Sequence, residues 1–340
     1  MKKVYHLSHI DLDGYSCQLL THEVFENIEF FNANYGAEVG ERLNQILDLI
    51  KNSNEQKILI LITDLNLSLD EAKFLDDSIK SIDKDIEILL LDHHKSGQEV
   101  SQKYSWYFLD TNRSATKITY DYFKTAKSLD KFDEYVECVN AYDIWLSDKK
   151  TEFEIGKVLA RYVMSAKELN RVMFANESFE YILHLIKSGF LEVDKKDAHI
   201  VLDDKLHEFK KSFFKRDKND TLENLVSDYI VDILSAKKDE FSIFYKDKKG
   251  LLTYSIGNSS IIGNDFLTKN PEFDFFLDIN SRKNISLRAN NKIDVSLFAK
   301  EVFEGGGHAN ASGGKFSEFK DSFIYENIKR QIEEKLLEYS

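Results

Sequence analysis

The stretch Ile86-Glu87-Ile88-Leu89-Leu90-Leu91-Asp92-His93-His94 decides how this chain is read. A short apolar run of strand length stops abruptly in a carboxylate and two imidazoles. Two adjacent histidines at the end of a buried strand make little sense as core residues. Upstream, the run beginning at Lys3 and ending at Leu7 leads into His9-Ile10-Asp11-Leu12-Asp13-Gly14, and the run from Lys57 to Ile62 leads into Thr63-Asp64. Strand-like segments that finish in donors for divalent metals point to an open α/β sheet, because ligands gather at the carboxyl ends of such strands.

The pattern around these runs supports that sheet. Strands are predicted at Lys3–Leu7, Glu29–Asn32, Ile58–Ile62, Glu87–Leu91 and Trp106–Leu109. Helices are predicted between them at Tyr15–Glu26, Glu41–Lys51, Leu69–Ser81 and Ala115–Ala126. Strands alternating with helix-length segments give βαβ units and a mostly parallel sheet. From Phe132 to Phe214 the apolar spacing turns to threes and fours, as in Phe179, Ile182, Leu183 and Ile186, which is helical. A second α/β pattern begins near Glu240, with strands at Phe241–Tyr245, Leu251–Ile256, Phe273–Asp278 and Asn284–Arg288. Helices follow at Ser259–Leu267, Val295–Val302 and Ile324–Leu337, with Asn258 and Asp294 as N-caps of the first two. The expected architecture is therefore two α/β domains: residues 1–150, a helical connector over 151–238, and a smaller domain over 239–340, with the active site in the cleft between domains.

Composition narrows the function. The 340 residues carry a net charge of −13, with 42% hydrophobic and 31% charged residues. That balance suits a soluble globular protein, and it is a poor match to long duplex nucleic acid, which is held by neutralising many phosphates. A small nucleotide remains compatible, because a metal pair and one or two cations can neutralise a few phosphates. No apolar run is long enough for a membrane span and no signal peptide is evident. Cys17 and Cys138 lack metal or redox spacing and read as buried thiols of a cytoplasmic protein.

His9, Asp11 and Asp13 alternate by two, so in extended chain they share a face. Gly14 is expected to permit the turn into the next helix. Imidazole mixed with carboxylate suits manganese, iron, cobalt or zinc better than calcium. Each carboxylate has another use: Asp11 or Asp13 could cap the following helix, and Asp64 could cap the helix at Leu69. Their joint occurrence with His93, and with Asp143 in Ala141-Tyr142-Asp143-Ile144-Trp145, favours a hydrolytic centre for two divalent ions. His9, Asp11, Asp13, Asp64, His93 and Asp143 supply the ligands, with Asp64 placed to bridge. In the second half, Gly305-Gly306-Gly307-His308 reads as a loop that is either a flexible turn or an anion cradle. Arg288, ending the strand before the same helix, is either a surface cation or a phosphate ligand.

In order, His9-x-Asp11-x-Asp13-Gly14, Asp64, Asp92-His93-His94 and Asp143 resemble the four motifs of DHH phosphoesterases. Ser286-Leu287-Arg288 with Gly305-Gly306-Gly307-His308 is similar to their DHHA1-type substrate-binding domain, although Glu304 stands where many members have a fourth glycine. Ser8–Gly14 and Ser114-Ala115-Thr116 most resemble the nanoRNase B type. The resemblance implies that His9 and Asp11 hold one ion, Asp13, His93 and Asp143 the other, and that Asp64 bridges. It further implies that His94 contacts the scissile phosphate, that Asp92 orients a histidine, and that Arg288, Gly305, Gly306, Gly307 and His308 hold another part of the nucleotide. The expected activity is manganese-dependent hydrolysis of very short RNA, with a homodimer as one assembly the reading allows. The alternatives are a 3′,5′-bisphosphonucleotide phosphatase and a cyclic or linear dinucleotide phosphodiesterase. A processive nuclease and a sensor without turnover fit less well, the one because of the acidic chain, the other because the ligand set is complete.

Overall fold

A computed structural model describes residues 2–339. The chain forms two compact units, residues 1–165 with 182–206 and residues 166–181 with 207–340. In the first unit β1 (Lys3–His9), α1 (Leu12–Val24), β2 (Ile28–Ala33), α2 (Ala37–Asn52), β3 (Lys57–Thr63), α3 (Leu69–Lys80), β4 (Asp85–Asp92), α4 (Gln98–Lys103), β5 (Tyr107–Leu109) and α5 (Ala115–Phe123) alternate. Four helices follow, α6 (Asp133–Asp143), α7 (Lys150–Ser165), α8 (Ala175–Phe190) and α9 (Ala198–Phe214), and the division between units falls within α8 and α9.

The first sheet has five strands in the order β2-β1-β3-β4-β5, all parallel. Val4 and Leu7 on β1 and Ile58, Ile60 and Ile62 on β3 are wholly buried, as expected of central strands covered on both faces. The chain leaves β1 toward β2 on one side and then continues to β3 on the other. The switch between β1 and β3 opens a crevice at their carboxyl ends. His9 closes β1, Asp64 follows β3, and Asp92 closes β4, so this edge carries the metal-binding residue types.

A buried polar lattice holds that edge together. His6 reaches Thr21 Oγ1 (2.9 Å) through Nδ1 and Thr63 Oγ1 (2.8 Å) through Nε2. Burial lowers the His6 pKa to about 3, so the imidazole stays neutral. Ser8 Oγ lies 2.7 Å from Thr63 Oγ1 and 2.9 Å from the Gly14 carbonyl. These contacts tie the ends of β1 and β3 to the first turn of α1, which the chain enters three residues earlier than predicted because Asp11 caps it through the Gly14 N–H at 3.0 Å. Gly14 itself lies inside the helix. A Cβ there would fall 2.3 Å from the His9 carbonyl oxygen, so close approach, not turn geometry, requires the glycine.

In the second unit α10 (Leu222–Ala236) precedes β6 (Ser242–Tyr245), β7 (Lys248–Tyr254), α11 (Ser259–Lys269), β8 (Phe275–Ile279), β9 (Asn284–Ala289), α12 (Val295–Val302), β10 (Gly306–His308), β11 (Ala311–Lys315) and α13 (Tyr325–Leu337). Six strands run in the order β10-β11-β9-β8-β7-β6, with only β7 and β8 parallel. Asn258 and Asp294 are the N-caps of α11 and α12, as the sequence predicts. The glycine-rich segment differs from expectation: Gly306–His308 is an edge strand paired with β11. Gly307, at φ +149°, also sits where a Cβ would lie 2.7 Å from the Ala311 oxygen. Among the described residues no helix is long and apolar enough to cross a membrane.

Asp278 on β8 is a buried carboxyl that accepts from Thr253 Oγ1 (2.8 Å) and the Ile256 amide (3.1 Å). Burial outweighs both bonds and pushes its pKa up to about 7. With the folded value above the unfolded one, its stabilising contribution is complete below the ordinary carboxylate range and is lost as pH rises toward 7. Asp278→Asn keeps a carbonyl acceptor and removes the charge. At pH 8 it should unfold at higher temperature than wild type, by an increment of a few kcal/mol at about 1.4 kcal/mol per pKa unit. The gain should shrink toward pH 4, as calorimetry across that range would read.

Candidate metal centre

Three clusters of side chains meet at the carboxyl edge of the parallel sheet, each with ligand atoms within 4.8 Å of one another: His9, Asp11 and Asp64; Asp13, His93 and Asp143; and Asp64, Asp92, His93 and His94. Asp64 links them. Its Oδ2 is 3.7 Å from His9 Nδ1 and its Oδ1 is 3.4 Å from His93 Nε2. His93 Nε2 also lies 3.5 Å from Asp143 Oδ2 and 3.8 Å from Asp13 Oδ2.

The backbone places Asp64 at a conformational cost. Its N–H still continues the sheet by donating to the Leu91 carbonyl (3.1 Å), and the residue then turns left-handed at φ +56°. Such a conformation at a non-glycine residue costs on the order of 1–3 kcal/mol and persists only where the surroundings enforce it. Leu65 and Leu67, both fully buried, anchor the chain just beyond. Asp64 does not cap the next helix; Ser68 does, in a capping box with Glu71.

Asp13 is held differently. Its two oxygens accept from the backbone N–H groups of Ala115 (2.7 Å) and Thr116 (2.8 Å), at the N-terminus of α5. Ser114 caps that helix, and its own N–H donates to Asn140 on α6. The Ser114-Ala115-Thr116 segment thus serves as a helix N-terminus aimed at a carboxylate. Asp11 combines both roles weighed from the sequence. Oδ1 caps α1, and Oδ2 stands 2.8 Å from His9 Nδ1.

The electrostatics follow from this crowding. Burial and the charges of Asp11 and Asp13 raise the Asp64 pKa well above the carboxylate range. Burial, Asp13 and the other carboxylates likewise push Asp143 up to about 8, against the opposing pull of His93. Burial alone would lower His9, but the close approach and charge of Asp11 and Asp64 outweigh it and lift it to about 10. For Asp11, burial acts upward and the His9 and Gly14 contacts prevail, bringing it to about 2. His9 Nδ1, Asp64 Oδ2 and Asp143 Oδ2 are buried yet complete no hydrogen bond. Orphaned donors and acceptors converging among four aspartates and two histidines fit divalent cations with nitrogen and oxygen ligands.

Asp92 and His94 stand beside this cluster. His94 Nδ1 is 2.7 Å from Asp92 Oδ1, while Asp92 Oδ2 accepts from the Tyr107 hydroxyl at 2.5 Å. Asp92 thus fixes the ring and leaves Nε2 facing outward. The Tyr35 hydroxyl lies 2.8 Å from that nitrogen, and the Tyr35 ring packs on His9 at a centroid distance of 4.5 Å. Asn34 Oδ1 meets His9 Nε2 at 3.4 Å, which turns Nδ1 toward the aspartates. Asn34 and Tyr35 escaped the sequence reading. The available signal was their position directly after β2, on the same carboxyl edge.

In the second unit Arg288 lies on β9, with its guanidinium donating to Ser260 Oγ and, at 2.8 Å, to the Leu287 carbonyl. Ala311 pairs with His308 on one side and Arg288 on the other. Directly opposed residues point to the same sheet face. Arg288 and His308 therefore share a face two strands apart, with Gly306 and Gly307 on the same edge strand and Gly305 just before it.

No family model matches the chain. A 3′,5′-cyclic-nucleotide phosphodiesterase of Helicobacter pylori (strain ATCC 700392 / 26695) is 46% identical over 344 residues, covering 98% of this chain and 99% of that protein. The crystal structure of an uncharacterized protein from Helicobacter pylori G27 matches with 46% identity and a TM-score of 0.93, covering 99% of this chain and 100% of that one. RecJ in complex with Mn2+ from Thermus thermophilus is 13% identical with a TM-score of 0.35, covering 100% of this chain and 52% of that one, a likeness too distant to carry an argument. Identity at the 46% level along nearly the whole length of both chains makes this protein a member of the phosphodiesterase family to which the Helicobacter pylori enzyme belongs.

Proposed function

We propose that the protein is a two-metal phosphodiesterase of small nucleotides, with 3′,5′-cyclic nucleotides as its leading substrate class. The observation that carries this reading is Asp64, whose oxygens face one histidine of each cluster at 3.4 and 3.7 Å. The activity named for the 46%-identical relative supports the substrate class. His9, Asp11 and Asp64 would hold one divalent ion, manganese being the expected metal, and Asp13, His93, Asp143 and Asp64 the other. Bound there, the ions supply an activated water and neutralise phosphate charge.

The chain's own residues do the rest. Asp92 holds His94 so that Nε2 meets the scissile phosphate, at the place where the Tyr35 hydroxyl now sits at 2.8 Å. Asn34 keeps the His9 ring in the tautomer that directs Nδ1 inward. Arg288, His308 and the Gly305–Gly307 backbone form a second anion-binding set for another part of the nucleotide. A linear diester presents the same phosphorus chemistry. Very short RNA is the second reading, favoured by Ser8–Gly14 and Ser114-Ala115-Thr116, and by a net charge of −13 that repels longer strands.

With manganese, kcat/KM measured on cyclic mononucleotides, cyclic dinucleotides, a bisphosphonucleotide and RNAs of graded length should be highest for a small diester. Among the RNAs it should fall steeply beyond a handful of nucleotides. A flat or rising length profile would overturn the small-substrate reading, and turnover confined to the bisphosphonucleotide would replace it with a phosphatase.

Asp64→Asn isolates the bridge. Because the folded pKa of Asp64 is raised, its ionisation opposes folding as pH climbs above the carboxylate range. At pH 8 in chelator the variant should therefore melt above wild type. Manganese should raise the wild-type Tm and leave the variant's nearly unchanged. Turnover should drop at least ~10³-fold, the scale seen when a central catalytic group is removed. Near-normal rates at saturating manganese would refute the assignment.

Arg288→Ala should raise KM for nucleotides with both metals still bound, as calorimetric titration with manganese would verify. An equal loss on a simple activated diester would move Arg288 to the reaction centre.

A further inference from the structure

Trp145 is 69% exposed, the second most open of the large apolar side chains in the described residues. It lies two residues beyond Asp143, the last residue of α6, so its Cα is within about 7 Å of that residue's Cα. Its backbone is left-handed at φ +60°, a conformation that indole-bearing residues rarely adopt. The chain fixes this turn. Leu146 N–H donates to the Ala141 carbonyl at 2.7 Å, and Ile144 N–H to the Asn140 carbonyl at 3.2 Å. Phe153 on α7 meets the indole edge-on, with centroids 5.0 Å apart and planes at 82°. A T-shaped contact braces the ring and leaves much of its π-surface open. Neither burial nor backbone ease explains an indole held out beside a candidate metal ligand.

We propose that Trp145 is the platform on which the nucleobase of the substrate stacks while its phosphate lies among the Asp13, His93 and Asp143 group. The inference rests on the nucleotide reading above and adds the group that recognises the base. Tyr35, an exposed aromatic close to the cluster, is engaged through its hydroxyl with His94 and through its ring with His9. Stacking on a single indole tolerates any base, because each has a π-face, and discriminates a nucleotide from a phosphodiester that lacks one.

The test compares wild type, Trp145→Phe and Trp145→Ala on 3′,5′-cyclic AMP and on its base-free analogue, methyl ribofuranoside 3′,5′-cyclic phosphate, with manganese. Trp145→Ala should raise KM for cyclic AMP about tenfold, with kcat nearly kept and the base-free analogue affected far less, the scale of one lost base stack. Trp145→Phe should recover most of the loss. The chain has two tryptophans, so in a Trp106→Phe background cyclic AMP should quench the remaining indole and the base-free analogue should not. Equal losses on both substrates, or an unchanged KM for cyclic AMP, would overturn the platform. Hydrolysis of cyclic AMP without quenching would overturn it and leave the phosphodiesterase reading standing. Quenching without hydrolysis of either substrate would support it and overturn that reading.

Discussion

Everything at the carboxyl edge of the first sheet depends on how four aspartates are kept together in partial burial. Two of them are compensated by backbone dipoles: Asp11 by the N-terminus of α1 through Gly14, and Asp13 by the N-terminus of α5 through Ala115 and Thr116. Asp64 and Asp143 have no such helix end, and each retains a buried oxygen without a hydrogen-bond partner. The compensation that the chain omits is the compensation that cations provide. A left-handed backbone at Asp64 adds strain where the charge is least relieved. Local rules of stability are broken at the one residue that faces both histidines, as expected where chemistry outranks folding.

The two histidines after β4 have different partners although their rings touch, with centroids 4.3 Å apart. Asp92 orients His94 at 2.7 Å, while His93 approaches Asp64 at 3.4 Å and Asp143 at 3.5 Å. Adjacent imidazoles of the same type are thus distinguished by the carboxylates packed around each.

What could be read from the sequence, and what could not, follows from the same physics. The runs before His9, Asp64 and Asp92 are short and largely apolar, and a buried parallel strand leaves that mark without help from the rest of the chain. The N-caps Asn258 and Asp294 are local side-chain-to-backbone bonds and were equally visible. Asn34 and Tyr35 were not, because their roles depend on β2 lying beside β1, a tertiary fact that brings residues 25 and 59 positions apart into contact. β10 escaped because glycines carry no alternation of side chains. Its pairing with β11 is imposed by register alone, and the same glycines that suggested a loop are there to let the two backbones close up. At Gly14 a helix start and a tight approach to His9 both favour glycine, and only the tertiary packing distinguishes them.

The second sheet turns this lesson toward recognition. Ala311 sets Arg288 and His308 on one face, so an anion lying there would meet a guanidinium and an imidazole about two strand spacings, roughly 10 Å, apart. Arg288 is held by Ser260 and its own strand, which limits the directions from which it can accept a phosphate. A fixed guanidinium on a sheet is a short ruler. A net charge of −13 disfavours tracking a longer backbone, which requires neutralising many phosphates. Under the proposed function, substrate size would be set by where positive charge is placed and how rigidly, and the metal centre would set the bond that breaks.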